Sequence, residues 1–158
     1  MSQIKRRDIL KLGGIAAASA ASGLGFPAIV RAQAKEIVIL GLWDQTGAFA
    51  DVGPILDRGM KMALDERGMK VLGRPIKYIT RDGATQAGTS TRRTEEAVDG
   101  EGAKFVIGPW SSGVALAVSE VAKEHKTLLL VSIAKTAALT EDKWHRYVFR
   151  ATSNTLIE

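Results

Sequence analysis

From Ile37 onward the chain alternates two periods of hydrophobicity, and that alternation restricts it to few folds. Ile37-Val38-Ile39-Leu40-Gly41-Leu42 is a continuous apolar run rich in β-branched residues. Such a run suits a strand buried on both faces, as in a parallel sheet. After a loop carrying Gly, Asp and Thr, Pro54 can occupy the first turn of a helix. Leu56, Met60, Ala63 and Leu64 then recur at helical spacing, and Gly68 suits the position just past the helix end. Residues 75–80 alternate and read as a second strand, 87–98 as a helix stopped at Gly100, and 104–108 as a third strand. Val114, Ala117, Val118, Val121 and Ala122 form a clear helical stripe. Residues 127–131 read as a fourth strand and 146–150 as a fifth. The order β-α-β-α-β-α-β, then a loop and a last strand, predicts an α/β fold. Right-handed crossovers make it a Rossmann-like parallel sheet with helices on both faces.

The formal net charge of +5 invites a nucleic-acid reading until its location is considered. Residues 1–34 hold five basic side chains (Lys5, Arg6, Arg7, Lys11, Arg31) and one acid, Asp8. Four of the five net charges therefore sit there, and residues 35–158 are close to neutral. The only local basic cluster beyond them, Arg92-Arg93, is followed at once by Glu95-Glu96, as on a solvated helix face. Nucleic-acid binding needs a basic patch or stripe, so no nucleic-acid partner is expected. Residues 1–34 read instead as a cleaved export signal: a basic start, an Ala- and Gly-rich apolar stretch from Leu12 to Val30, and Ala32-Gln33-Ala34 as a small-x-small cleavage site. Lys5-Arg6-Arg7-Asp8-Ile9-Leu10-Lys11 is similar to a twin-arginine (Tat) export motif, with Sec export as the alternative. A retained membrane anchor fits less well, because five residues between 12 and 30 are Gly or Pro and the stretch is poor in Leu. With no cysteine in the chain, disulfides, thiolate metal sites, cysteine nucleophiles and lipid attachment at cysteine are excluded.

Ligands of open α/β sheets sit beyond the carboxyl ends of the strands. Three segments fall there: 43–53, 108–113 and 132–136. In the second, a strand ends at Gly108 and a helix begins near Ser112, which is expected to be the N-cap. A helix start presents free N–H groups and the positive end of the helix dipole, a seat for a carboxylate. Ser111, Ser112 and Thr136 add neutral hydroxyls, and Trp110 and Phe49 can supply apolar walls. Asp82, before Gly83, is the most site-like carboxylate, but a turn-forming role competes with a ligand role. His125 continues the apolar stripe of its helix and His145 sits in a charged loop; neither has the spacing of a metal site. The chain lacks G-x-G-x-x-G, Walker A and G-x-S-x-G signatures, so no catalytic residue, metal or cofactor is expected.

The landmarks in order resemble the start of periplasmic solute-binding proteins of the branched-chain amino-acid (leucine/isoleucine/valine-binding) ABC-transporter family. They are Thr46-Gly47 and Gly53 after the first strand; Leu72-Gly73-Arg74-Pro75-Ile76; Arg81-Asp82; Val106-Ile107-Gly108-Pro109 with Ser111-Ser112; Ser132, Ala134 and Thr136; Leu139-Thr140; and Val148-Phe149-Arg150. The resemblance implies a type 1 periplasmic binding-protein fold: two lobes on a hinge, a ligand in the cleft, and delivery to an ABC permease in the inner membrane. It implies that Ser112 and Thr136 hold a ligand carboxylate through their hydroxyls, with backbone groups near Trp110 and Ala134 helping. Val52, or Phe49, stands where an aromatic residue covers the ligand. Lys135 stands where a small residue is common and Ile133 where a proline is common, and the cationic Lys135 is expected to favour a more acidic or aromatic carboxylate. Residues 35–158 then correspond to most of the first lobe, ending about where the family crosses to its second. The expected function is the substrate-binding component of an ABC importer for amino acids or related small carboxylates, exported to the periplasm. The alternatives are a Tat-exported enzyme with a Rossmann-like domain and a sensing or interaction module.

Overall fold

The computed structural model describes residues 35–157; the export signal read in residues 1–34 lies outside them. The first apolar run forms β1 (Ile37–Trp43), and helix α1 (Gly53–Glu66) follows with Pro54 in its first turn. A two-residue strand β2 (Lys70–Val71) precedes β3 (Arg74–Asp82), which is longer than the strand expected at 75–80. Helix α2 (Ala87–Glu95) widens into a π-helical turn, Glu96–Gly100, through which the consecutive residues Ala97 and Val98 both enter the core. Then come β4 (Phe105–Ile107), α3 (Ser112–Glu124), β5 (Leu128–Val131), a 3-10 turn (Ala137–Thr140) and β6 (Val148–Arg150).

The six strands lie in the order β2-β3-β1-β4-β5-β6, all parallel except the β2–β3 pair. Strand β2 is absent from the sequence reading. It is the short arm of a hairpin whose two central residues, Leu72 and Gly73, both have positive φ, as a type I′ turn requires. Leucine, 97% exposed at the first of these positions, is not a residue that signals such a turn. The chain goes from β1 to β3 on one side and then to β4 on the other. The switch point therefore lies between β1 and β4, where their carboxyl ends part.

The two faces of the sheet differ. Val38, Leu40, Leu42, Val106, Leu129, Val131 and Val148 are buried with Ala97, Val98, Val114, Ala115, Val118 and Ala122 of the α2 and α3 segments. Helix α2 brings few apolar residues to this core. Its buried Ser90 and Thr94 are satisfied locally, Ser90 Oγ donating to Gly83 O (3.1 Å) and Thr94 Oγ1 to Ser90 O (2.8 Å). On the other face, strand register aligns Ile39, Phe105, Ile107, Leu128, Leu130 and Phe149 across four strands. An apolar groove of about 230 Å³ runs over them, and Phe149 is 55% exposed. Helix α1 covers only the β3 and β1 end of this face. Its contact there is polar: Tyr78 OH and Thr80 Oγ1 donate to Asp57 Oδ1 at 2.9 and 2.7 Å, and Trp43 Nε1 donates to Tyr78 OH at 2.8 Å. The stripe read from Leu56, Met60, Ala63 and Leu64 is accordingly buried only at Leu64, with Ala63 exposed.

Candidate functional site

The loop after β1 is held in place by Asp82, the last residue of β3. One carboxylate oxygen accepts the N–H groups of Gln45 (2.9 Å), Thr46 (3.2 Å) and Ala84 (2.8 Å), and the other accepts the Thr46 hydroxyl (2.7 Å). Partial burial by itself raises the carboxyl pKa. The hydrogen bonds from the Thr46 hydroxyl and the three N–H groups outweigh it and hold the group below 3.8. Asp82 is thus both the turn former that its sequence position allows and a clasp between two loops. Asp44, buried, accepts the N–H of Thr85 at 2.8 Å, closing the same junction.

The clasp places Phe49 against Trp110, with ring centroids 5.4 Å apart and planes tilted by 36°. Trp110 sits in the turn between β4 and α3. That turn depends on Gly108: at φ 120° a side chain is strained, and a Cβ there lies 2.3 Å from Leu42 O. Helix α3 begins one residue earlier than expected. Ser111, in extended backbone (φ −71°, ψ 132°), is the N-cap, and Ser112 is the first helical residue. The reason is the backbone: Ser111 O already accepts the N–H of Ala115 at 2.9 Å. Neither hydroxyl makes a side-chain capping bond, so the first N–H groups of α3 have no side chain of the helix start upon them.

Phe49, Trp110, Ser111, Ser112 and Lys135, together with Ile133, line one open cleft of about 290 Å³ at the carboxyl ends of the strands. Among the described residues the lining contains two aromatic rings, two hydroxyls and one cation, and no carboxylate. Val52, Ala134 and Thr136 are not among its lining residues. Val52 precedes the first turn of α1, and Ala134 is buried in the core. Thr136 starts the 3-10 turn, and its carbonyl accepts Arg150 Nη1 at 2.5 Å. Arg150 carries no ligand signal in the sequence, being a cation at a strand end, and Ile133 enters there only as a departure from proline. His145 is committed elsewhere, its Nε2 lying 2.9 Å from the buried Ser119 hydroxyl and 3.0 Å from Ser119 O. His125 Nδ1 is 3.1 Å from Asp99 at the end of α3. Among the described residues no group of three or more His, Cys, Asp or Glu side chains is placed to hold a metal ion.

A strand-end cleft at the switch point of a parallel sheet, with an aromatic pair on one wall and a helix start on the floor, describes a small-molecule binding lobe. A family model described as periplasmic binding protein matches residues 36–157, and the chain belongs to that family. The chain is 33% identical over 98 residues to the Leu/Ile/Val-binding protein BraC3 of Rhizobium johnstonii, covering 61% of this chain and 26% of that one. It superimposes on an ABC-type branched-chain amino acid transporter from Rhodopseudomonas palustris with a TM-score of 0.71 and 33% identity, over 75% of this chain and 33% of that one. A second solute-binding protein from R. palustris, solved with benzoate, gives a TM-score of 0.70 and 26% identity, again over 75% and 33%. The chain spans about a third of the length of these solved relatives and a quarter of that of the curated one.

Proposed function

We propose that this chain supplies the first ligand-binding wall of an ABC importer's substrate-binding protein, and that its ligand is a small aromatic carboxylate. The observation that carries the reading is the cleft lining. The α3 start and the Ser111 and Ser112 hydroxyls suit a carboxylate, Lys135 adds positive charge, and Phe49 and Trp110 suit a flat apolar body. Among the described residues the lining offers no acid to an ammonium group, so this wall itself does not hold one. The relative solved with benzoate supports this class of ligand, while the relative described as a branched-chain amino acid transporter supports the carboxylate alone. The reading includes export to the periplasm through the signal in residues 1–34, an inner-membrane permease as partner, and no catalytic step. It assigns carboxylate contacts to Ser111, Ser112 and Lys135, with Thr136 and the Ala134 backbone beside them, and ring contacts to Phe49 and Trp110, with Val52 behind.

Calorimetric titration of the full chain with benzoate and with leucine tests it. One open wall excludes little water, so benzoate is expected to bind with Kd on the order of millimolar, and leucine more weakly. Micromolar leucine binding overturns the proposal.

A further inference from the structure

We propose that Trp43 is a positioning residue of the cleft: its buried indole, oriented by Tyr78, seats the turn between β4 and α3 that carries Trp110, Ser111 and Ser112. This rests on the carboxylate reading of the cleft. Trp43 ends β1, is 4% exposed and is not among the residues that line the cleft. Its carbonyl accepts the N–H of Gly83 (3.0 Å), in the junction that Asp82 clasps. Its ring lies beside the turn after β4. A Cβ at Gly108 lies 3.5 Å from Trp43 Cζ3, an ordinary contact distance. Pro109, the next residue, is fully buried, and Trp110 follows at the cleft.

Polar contacts fix the direction of the indole. Nε1 donates to Tyr78 OH at 2.8 Å, and that hydroxyl donates to Asp57 Oδ1 at 2.9 Å. Gly41 supplies the room for them, since a Cβ there lies 2.0 Å from Tyr78 OH and 2.6 Å from Trp43 Nε1. Glycine inside a buried apolar strand weakens it, and here it permits the close approach of two side chains over the backbone. The turn is tied to the sheet by Gly108 N–H, which donates to Leu130 O at 3.2 Å, while the serine hydroxyls make no capping bond. Removing the Tyr78 hydroxyl leaves a buried indole N–H without its acceptor. The ring relieves that cost by moving, and the turn packed beside it moves too.

The test uses the full chain. It measures benzoate binding by calorimetry and amide exchange at Gly108, with Leu128, whose N–H donates to Lys104 O (3.1 Å), as the reference. In Y78F and in W43F, benzoate is expected to bind roughly three- to tenfold more weakly, with Gly108 exchanging faster and Leu128 unchanged. The Y78F/W43F double variant is expected to match W43F, because both changes act through one contact. T80V removes another hydroxyl donor to Asp57 while keeping the acceptor of the indole, and is expected to leave both readouts at wild-type values. Unchanged Gly108 exchange in Y78F and W43F overturns the proposal. Equal acceleration at Gly108 and Leu128, the mark of general loosening, also overturns it. So does a T80V loss equal to that of Y78F, and so does benzoate affinity retained while Gly108 opens. Should Y78F fail to fold, W43F decides by the same outcomes. If wild type does not bind benzoate, the functional reading falls, and exchange at Gly108 against Leu128 decides whether Trp43 seats the turn.

Discussion

At the scale of single residues, Asp82 holds the loop beside the cleft without being among its lining residues, and Tyr78 ties helix α1 to the sheet. Asp82 gathers four donors from two loops, and its carboxyl is depressed below 3.8. A depressed carboxyl contributes stability above its unfolded pKa and loses it as pH falls through the folded pKa. D82N should therefore cost on the order of 1 kcal/mol in urea unfolding at pH 7, and the gap from wild type should narrow as pH falls below 3.8 and through the depressed pKa of the folded state. Tyr78 behaves oppositely. Burial, reinforced by the Asp57 carboxylate, pushes its phenol up to about 12 from 10.0. A raised pKa means stability present below pH 10 and lost as pH rises toward 12. Y78F removes that titration, so its stability should fall less steeply than that of wild type over the alkaline interval. A parallel decline in the two chains contradicts the Trp43–Tyr78–Asp57 connection as described.

At the scale of elements, the start of α3 is the informative one. Serine at a helix start ordinarily caps it, and replacing a capping serine by alanine costs about 1 kcal/mol. Here Ser111 and Ser112 cap nothing through their side chains. S112A should leave the thermal midpoint nearly unchanged while weakening benzoate binding by roughly three- to tenfold, the worth of one ordinary hydrogen bond. A fall of several degrees in Tm with affinity retained returns Ser112 to a capping role. Helix α1 makes a related point. Its apolar stripe is legible in the sequence, yet what fastens it is one carboxylate, Asp57, facing Tyr78 and Thr80. An i,i+4 ion pair to Lys61 completes that carboxylate (2.6 Å).

At the scale of the molecule, the two faces of the sheet are the dominant fact. Parallel sheets occur almost only with both faces covered, and here the row Ile39, Phe105, Ile107, Leu128, Leu130 and Phe149 lies open. Contiguous exposed apolar surface of this kind drives association. The chain should self-associate in a concentration-dependent way in sedimentation velocity, and F149K, at the most exposed of these side chains, should reduce it. A wild-type chain that stays monomeric at high concentration contradicts this.

Much of this protein was readable before any coordinates. The β-branched run at 37–42, the helical stripe of α3 and the loop residues between them dictate α/β alternation, because apolar period and hydrogen-bonding period must agree. Of the residues named as candidates at the strand ends, Phe49, Trp110, Ser111, Ser112 and Lys135 line one cleft, while Val52, Ala134 and Thr136 do not. Other features depend on contacts between residues far apart in sequence. Strand β2 rests on a leucine in a left-handed turn, which no local propensity announces. The exact helix start rests on which carbonyl accepts the Ala115 N–H. Asp82 and Arg150 become clasps only because the topology brings residues 45 and 46, or 135 and 136, within reach of strand ends 36–37 and 14–15 positions away. Local sequence therefore decides which elements form and which face of each is apolar, through periodicity and propensity. Which of those faces stay open, and which polar side chains become clasps, is decided by long-range pairing, because burial and hydrogen-bond partnership exist only once the strands have taken their order.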